Sequence, residues 1–203
     1  YFIMEELFHA GSGKITNIVF MGMGEPLANF THLTSALSIL TDKCGLNFSD
    51  RKITVSTCGI VPKISELGSI NKVNLAVSLH ASDDQTRDLI MPINKTYPLK
   101  SLITACRNFP QQKRKPIMFE YILLKGVNDS TQHAKQLIKL LDKIPCKINL
   151  LPYNQCPALP FQKPAKETID AFNQTLRKAD FTVIIRDSRG SDISAACGQL
   201  AQK

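Results

Sequence analysis

The sequence predicts an α/β fold: a parallel sheet with its helices outside it. Three observations carry that reading. Strand-like apolar runs recur near residues 17–21, 51–57, 72–79, 116–124, 146–151 and 181–186, with helical patterns between them. Such strict alternation requires parallel strands joined by helical crossovers. Runs such as Val73-Asn74-Leu75-Ala76-Val77 are apolar toward both faces, as strands of a parallel sheet usually are. Polar residues then collect at the carboxyl ends of the strands, the rim where α/β folds bind their ligands.

The first strand runs through Ile18-Val19-Phe20 into Met21-Gly22-Met23-Gly24-Glu25-Pro26. Glycines there allow positive φ and close approach to a ligand, and Pro26 removes a donor and stops the strand. Glu25 is thereby held at a strand end. Leu33, Leu37 and Leu40 recur at helical spacing after Asn29. The second strand ends at Ser56-Thr57-Cys58-Gly59 and the third at Ser78-Leu79-His80, where Ser78 and His80 share a face. A short helix is expected over 99–109, and Gln111–Lys115 reads as a solvated loop. The fourth strand holds Glu120, a charge inside an apolar run. Ala134, Leu137, Ile138 and Leu141 form a helix face after the candidate caps Asp129 and Ser130. The fifth strand ends at Leu151-Pro152-Tyr153-Asn154, and Pro164 suits the first turn of a helix presenting Ile169, Phe172 and Leu176. A lone His80 is ordinarily structural. Five polar strand ends on the rim of a closed or nearly closed barrel point instead to a ligand site.

The 203 residues, 43% of them hydrophobic, are enough for one domain over 1–203. A net charge of +8 favours acidic partners such as nucleic acid. No apolar run approaches the roughly 20 residues of a membrane span, and no signal peptide is visible. The chain opens Tyr1-Phe2-Ile3 rather than with Met, as a fragment of a longer protein would. Six cysteines stand at 44, 58, 106, 146, 156 and 197, the closest pair ten apart, so no Cys-x-x-Cys metal motif exists and reduced thiols are expected. Cys197 lies among small residues after Arg186 and Arg189, whose charge favours a thiolate. It also fits as a small apolar residue of a C-terminal helix.

Met21-Gly-Met-Gly-Glu-Pro26, Ser78-Leu-His-Ala81, Met91-Pro-Ile-Asn94, Phe119-Glu-Tyr121, Asn128-Asp129, Asn149-Leu-Leu-Pro-Tyr-Asn154 and Ala195-Ala-Cys-Gly-Gln-Leu200 follow one another in this order. Together they closely resemble the RlmN type of radical S-adenosylmethionine (SAM) methyltransferase, over essentially residues 14–201. The resemblance implies a partial (β/α)₆ barrel and a cytoplasmic enzyme that methylates C2 of adenosine in 23S rRNA and in tRNA. It further implies SAM as methyl donor and radical source, a [4Fe–4S] cluster, an electron donor for that cluster, no membrane, and a monomer. Gly24 and Glu25 resemble the residues that hold the amino end of SAM. Ser56, Ser78, Leu79, His80 and Asn154 resemble its remaining contacts, and Cys197 the cysteine that carries the methyl group as S-methylcysteine. A second SAM would yield the 5′-deoxyadenosyl radical that activates that methyl. Ordinary methyl transfer cannot serve, because C2 of adenine is not nucleophilic.

The family's Cys-x-x-x-Cys-x-x-Cys cluster loop is absent from these residues and would precede Tyr1, as would a helical accessory domain, a second catalytic cysteine and a carboxylate proton acceptor. Tyr1–Ala10 then reads as the remnant of the first barrel helix. No metal site is expected in this chain, which alone should not methylate RNA. Asp187 and Ser191 are smaller, tolerable departures. Two alternatives stay open: the sister C8-methylating (Cfr-like) enzymes, and a non-catalytic RNA-binding remnant if the chain is whole.

Overall fold

The computed structural model describes residues 15–70, 73–110, 115–154 and 159–186. Six strands, β1 (Ile18–Phe20), β2 (Ile53–Thr57), β3 (Asn74–Ser78), β4 (Ile117–Leu123), β5 (Cys146–Pro152) and β6 (Thr182–Ile185), pair in sequence order, and every pairing is parallel. All six lie on the predicted runs. Among the described residues the sheet is open, with β1 and β6 as its edges, so the partial barrel of the resemblance fits.

Six helices cross over between the strands: α1 (Phe30–Thr41), α2 (Val61–Ile70), α3 (Asp84–Ile90), α4 (Leu99–Asn108), α5 (Thr131–Leu140) and α6 (Lys166–Arg177). Three follow the expected periodicity, and α4 lies on the short helix expected over 99–109. Ser130 is the cap of α5, in a reciprocal box with His133. Pro164 precedes the cap Ala165 of α6 rather than lying in the first turn. Two helices carried no clear apolar repeat. In α2, Pro62 and Gly68 interrupt it, yet Pro62 falls in the first turn, where no donor is lost, and Gly68 lets Pro110 approach: a Cβ there would sit 2.6 Å from Pro110 Cδ. In α3 the one buried side chain is Arg87, so there is no apolar face to read.

Alternation along the strands sorts the sheet into two faces. Val55, Leu75, Val77, Phe119, Tyr121, Ile148, Leu150 and Val183 join Leu37, Ile64, Leu67, Leu102, Leu137 and Phe172 from the helices in a single core. The opposite parity, Ser56, Ser78, Glu120 and Asn149 among it, forms an inner face away from the helices. Ser78, Glu120 and Asn149 are register partners across β3, β4 and β5, one polar row. The core's centre is the tilted pair Tyr121–Phe172, ring centroids 5.3 Å apart, with the Tyr121 hydroxyl donating to the Asn128 carbonyl at 2.9 Å. Phe172 is fully buried. Phe172→Ala should therefore lower unfolding free energy by about 3–5 kcal/mol, read from denaturant midpoints at unchanged m-value.

Candidate functional site

The turn after β1 is shaped by one glycine and one carboxylate. Gly24 has φ +94°, which L side chains rarely adopt. Glu25 follows in extended conformation and caps the single turn Pro26–Asn29: its Oε1 accepts from the Leu27 N–H at 2.9 Å. Its Oε2 accepts from the Cys58 N–H at 2.6 Å, tying the end of β1 to the end of β2. Gly24, Glu25, Ser56, Cys58 and Ser78 line one cleft of about 150 Å³. That is smaller than the roughly 300–1,000 Å³ of sites that enclose a drug-sized ligand. A larger cleft of about 540 Å³ shares Gly24 and Glu25 but continues past Val19 toward His32 and Ala36, beside the unpaired edge of β1. The smaller one is the better candidate, because three strand ends bring polar groups to it.

Leu79 and His80 close β3. The Leu79 side chain is fully buried in the core, its N–H donates to the Glu120 carbonyl at 3.0 Å, and its own carbonyl accepts from Arg87. Leu79 thus presents the cleft with no free polar group. His80 has φ +60°; its carbonyl accepts from Asn128 Nδ2 at 2.7 Å and its Nδ1 accepts from the Ile122 N–H at 3.1 Å. Accepting at Nδ1 leaves the neutral ring with its proton on Nε2. Burial, and then the charge of Arg87, push the His80 pKa down to about 4, against a hydrogen bond to the Glu120 backbone carbonyl that raises it. Asn154 follows β5 by two residues and is half-buried. Cys197, Arg189 and Tyr1–Ala10 lie outside the described residues.

Burial acts on two further ionisable groups near the site. Burial, and then the adjoining Glu25, push the Cys58 thiol up to about 12. Burial also raises the Glu120 carboxyl above its ordinary range, while the hydrogen bond from Asn149 and the charge of Arg186 oppose it. Asn149 Nδ2 donates to Glu120 Oε1 at 2.9 Å; among the described residues, Glu120 Oε2 and Asn149 Oδ1 are buried with no hydrogen-bond partner. Sequence reasoning noted Glu120 but missed Arg87 altogether, and it quoted Asn94 and Asn128 without a role. Arg87 has no periodic neighbour to mark it. The two asparagines could have been suspected from their places beside Pro92 and in Asn128-Asp129, where amide side chains often bind backbone.

An open parallel barrel with a glycine-and-carboxylate turn at one strand end and small polar residues at the next two is a barrel enzyme's ligand rim. The sequence profile of the Radical SAM superfamily matches residues 3–138, and the chain belongs to that superfamily. It is 54% identical over 191 residues to the dual-specificity RNA methyltransferase RlmN of Desulfotalea psychrophila, covering 94% of this chain and 53% of that protein. With RlmN of Geobacter sulfurreducens it shares 54% identity over 189 residues, covering 93% and 52%. The chain spans about half the length of the curated relatives it matches. A radical SAM methyltransferase from Sphaerobacter thermophilus superposes with TM-score 0.91 at 45% identity, over 97% of this chain and 57% of that one. A domain of a pyruvate-formate lyase-activating enzyme from Bacteroides vulgatus, 20% identical with TM-score 0.65 over 84% of this chain and 99% of that one, shares the fold.

The state of His80 gives a pH prediction. Unfolded, the ring takes a proton near 6.5; folded, only near 4. Its contribution to stability is complete above the unfolded value and is lost as pH falls from 6.5 through 4. Asn tolerates positive φ and can accept from Ile122 with its amide oxygen. His80→Asn should flatten the loss of stability across that window, measured as denaturant midpoints above and below it, whereas His80→Ala should destabilise at every pH.

Proposed function

We propose that this chain is the carboxyl-terminal part of a radical SAM barrel, a single domain over 1–203, from an enzyme that methylates C2 of adenosine in 23S rRNA and tRNA. The observation that carries the reading is the meeting of Gly24, Glu25, Ser56 and Ser78 in one cleft at three strand ends. The names of relatives at 54% identity support the RNA-methylating activity.

The cleft fits the amino-acid end of SAM. The backbone at Gly24 is open, with nothing within 4 Å of where a Cβ would stand, so a ligand can lie against it. A carboxylate suits an ammonium group, and Glu25 is fixed by two main-chain N–H groups, which leaves lone pairs free at a defined place. When bound, SAM supplies the methyl group and the radical that activates it. Ser56 and Ser78 would receive its hydroxyls on the inner face. His80, neutral and locked by Ile122, would offer Nε2–H as donor, and Asn154 would add an amide. Leu79 would contribute shape and not a polar contact. A [4Fe–4S] cluster does not fit the residues at hand: its irons take several thiolates brought together, and among the described residues no three His, Cys, Asp or Glu side chains are grouped so as to hold a metal. Its ligands would come from another part of the protein, as would the docking site of an electron donor.

Cys197 would be the methyl carrier. Cys58, the cysteine lining the cleft, is suited to that task neither by its raised pKa nor by its bond to Glu25, since the attacking species is the thiolate. The positive balance suits an RNA substrate, whose target base must leave its stack to reach a barrel rim. Among the described residues no helix is long and apolar enough to cross a membrane; a cytoplasmic, monomeric enzyme is part of this proposal.

In the complete protein, Glu25→Ala should weaken SAM binding about ten- to a hundredfold, on the order of 1.5–3 kcal/mol for one lost charge-assisted contact. Calorimetry on the folded variant reads this, and unchanged affinity removes Glu25 from the site. Cys197→Ser should keep the fold and SAM binding and abolish RNA methylation. Peptide mass spectrometry of the active wild type should find one added methyl on Cys197; a methyl on Cys58 or Cys156, or turnover by the Ser variant, would assign the carrier elsewhere.

A further inference from the structure

Arg87 is a fully buried cation, 0% exposed, on a short helix whose other residues are mostly polar. Its Nε donates to the Leu79 carbonyl at 3.0 Å, and its Nη2 to the Cys58 carbonyl at 2.8 Å and the Ser78 carbonyl at 3.2 Å. Its Nη1 donates to Asn94 Oδ1 at 3.0 Å. One guanidinium thus grips the ends of β2 and β3. It does so from beneath the cleft, next to four positions that line or flank it: Cys58 with its bond to Glu25, Ser78, Leu79 and His80.

Burying an unpaired cation is costly, and a stable core could be had more cheaply with an apolar side chain of the same volume. No carboxylate bonds Arg87 directly among the described residues. Burial lowers its pKa, and the charges of Asp84 and Asp88 act against that. Those two carboxylates reach it through Asn94, which is 2% exposed: Asn94 Nδ2 donates to Asp84 Oδ1 at 3.0 Å and Asp88 Oδ1 at 2.7 Å. Met91-Pro92-Ile93-Asn94 therefore has a physical task. The single turn Pro92–Lys95 presents the Asn94 amide as a two-sided connector, oxygen to the guanidinium and nitrogen to the carboxylates. Only the planar fork of arginine can serve carbonyls on two strands and an amide at once; lysine is a point donor on a flexible stem.

We propose that Arg87, held by Asn94, is a positioning residue of the ligand cleft. It fixes the separation of the β2 and β3 ends, so that Glu25 on one side and Ser78 and His80 on the other stand ready for a single ligand. It touches neither ligand nor reacting atoms. The inference rests on the reading of the cleft as a SAM site.

The test uses the complete protein, prepared anaerobically, with Arg87→Lys, Asn94→Ala, the double variant, Glu25→Ala, and Phe172→Leu as a destabilised core control remote from the cleft. SAM affinity is measured by calorimetry, and amide hydrogen exchange without SAM by peptide mass spectrometry. Arg87→Lys should lose at least tenfold in SAM affinity and exchange faster in the peptides holding Cys58–Gly59 and Leu79–His80, with β5 unchanged. Asn94→Ala should move both readings the same way by less. The double variant should be no worse than Arg87→Lys, because the two act as one unit. Phe172→Leu should lower the melting temperature and leave SAM affinity within twofold. If Arg87→Lys does not fold, Asn94→Ala alone decides. Wild-type affinity and wild-type exchange in a folded variant would overturn the proposal, and so would local loosening without loss of affinity. If Glu25→Ala and Arg87→Lys both bind SAM as wild type does, the SAM reading itself falls; if only Arg87→Lys does, this inference falls alone.

Discussion

The ends of parallel strands leave main-chain N–H and C=O groups beyond the last ladder bond, and the site depends on how these are taken up. Glu25, Arg87 and Asn128 are prominent among the side chains that do it here. Glu25 accepts from Leu27 and Cys58, joining β1 to β2. Arg87 donates to Cys58, Ser78 and Leu79, joining β2 to β3. Asn128 donates to the carbonyls of His80 and Ile122, each at 2.7 Å, and accepts from Leu124 N–H at 2.8 Å, joining β3 to β4. Without them, buried carbonyls and amides would be orphaned, at about 1–3 kcal/mol each.

This arrangement also sets the charge of the rim. His80 is kept neutral by burial and by the Arg87 charge, and Cys58 stays a thiol because burial and Glu25 both oppose its ionisation. The anion that lines the cleft is Glu25, and the cation lies beneath it, out of reach of a ligand. A zwitterionic or sulfonium-bearing ligand bound there, as proposed, would meet one fixed carboxylate among neutral donors and acceptors. That is a small, well-defined field, and the chemistry demanding strong reagents would be left to the cofactor.

The strands were legible because parallel strands buried on both sides read as apolar runs bounded by turn residues, and Phe119-Glu120-Tyr121 stayed recognisable despite its charge. Helices α1, α5 and α6 were legible from the spacing of Leu, Ile and Phe, and α4 only as a short helix over 99–109. Helix α3 was not, since what it buries is a guanidinium, and periodicity registers only apolar burial. The same reason hid the support of the site. Glu25, Ser56, Ser78 and His80 could be read from where they fall on strands. Arg87 and Asn94 act across long sequence distances: Arg87 reaches Cys58 from 29 residues away, and one residue's hydrogen bonds to backbone leave no local pattern. Leu79 shows the opposite limit, for a residue within a legible motif can face the core.

The inner face leaves one polar row to account for. Ser78, Glu120 and Asn149 stand side by side in register, and the outer two differ in how they are satisfied. Ser78 lines the cleft, whereas Glu120 and Asn149 bond each other and, among the described residues, each retains one buried oxygen without a partner. An apolar pair would fill this place at lower cost. Burial moves Glu120 toward its protonated form, in which Oε2–H is a donor and Asn149 Oδ1 an acceptor, a complementary edge next to Ser78. Arg186, whose N–H bonds the Leu150 carbonyl at 3.0 Å, acts against that protonation. Burial thus favours a donor on the floor beside the cleft, and the Asn149 hydrogen bond and the Arg186 charge favour a carboxylate. Arg186 places that choice at the point where β6 ends and the segment bearing Cys197 begins.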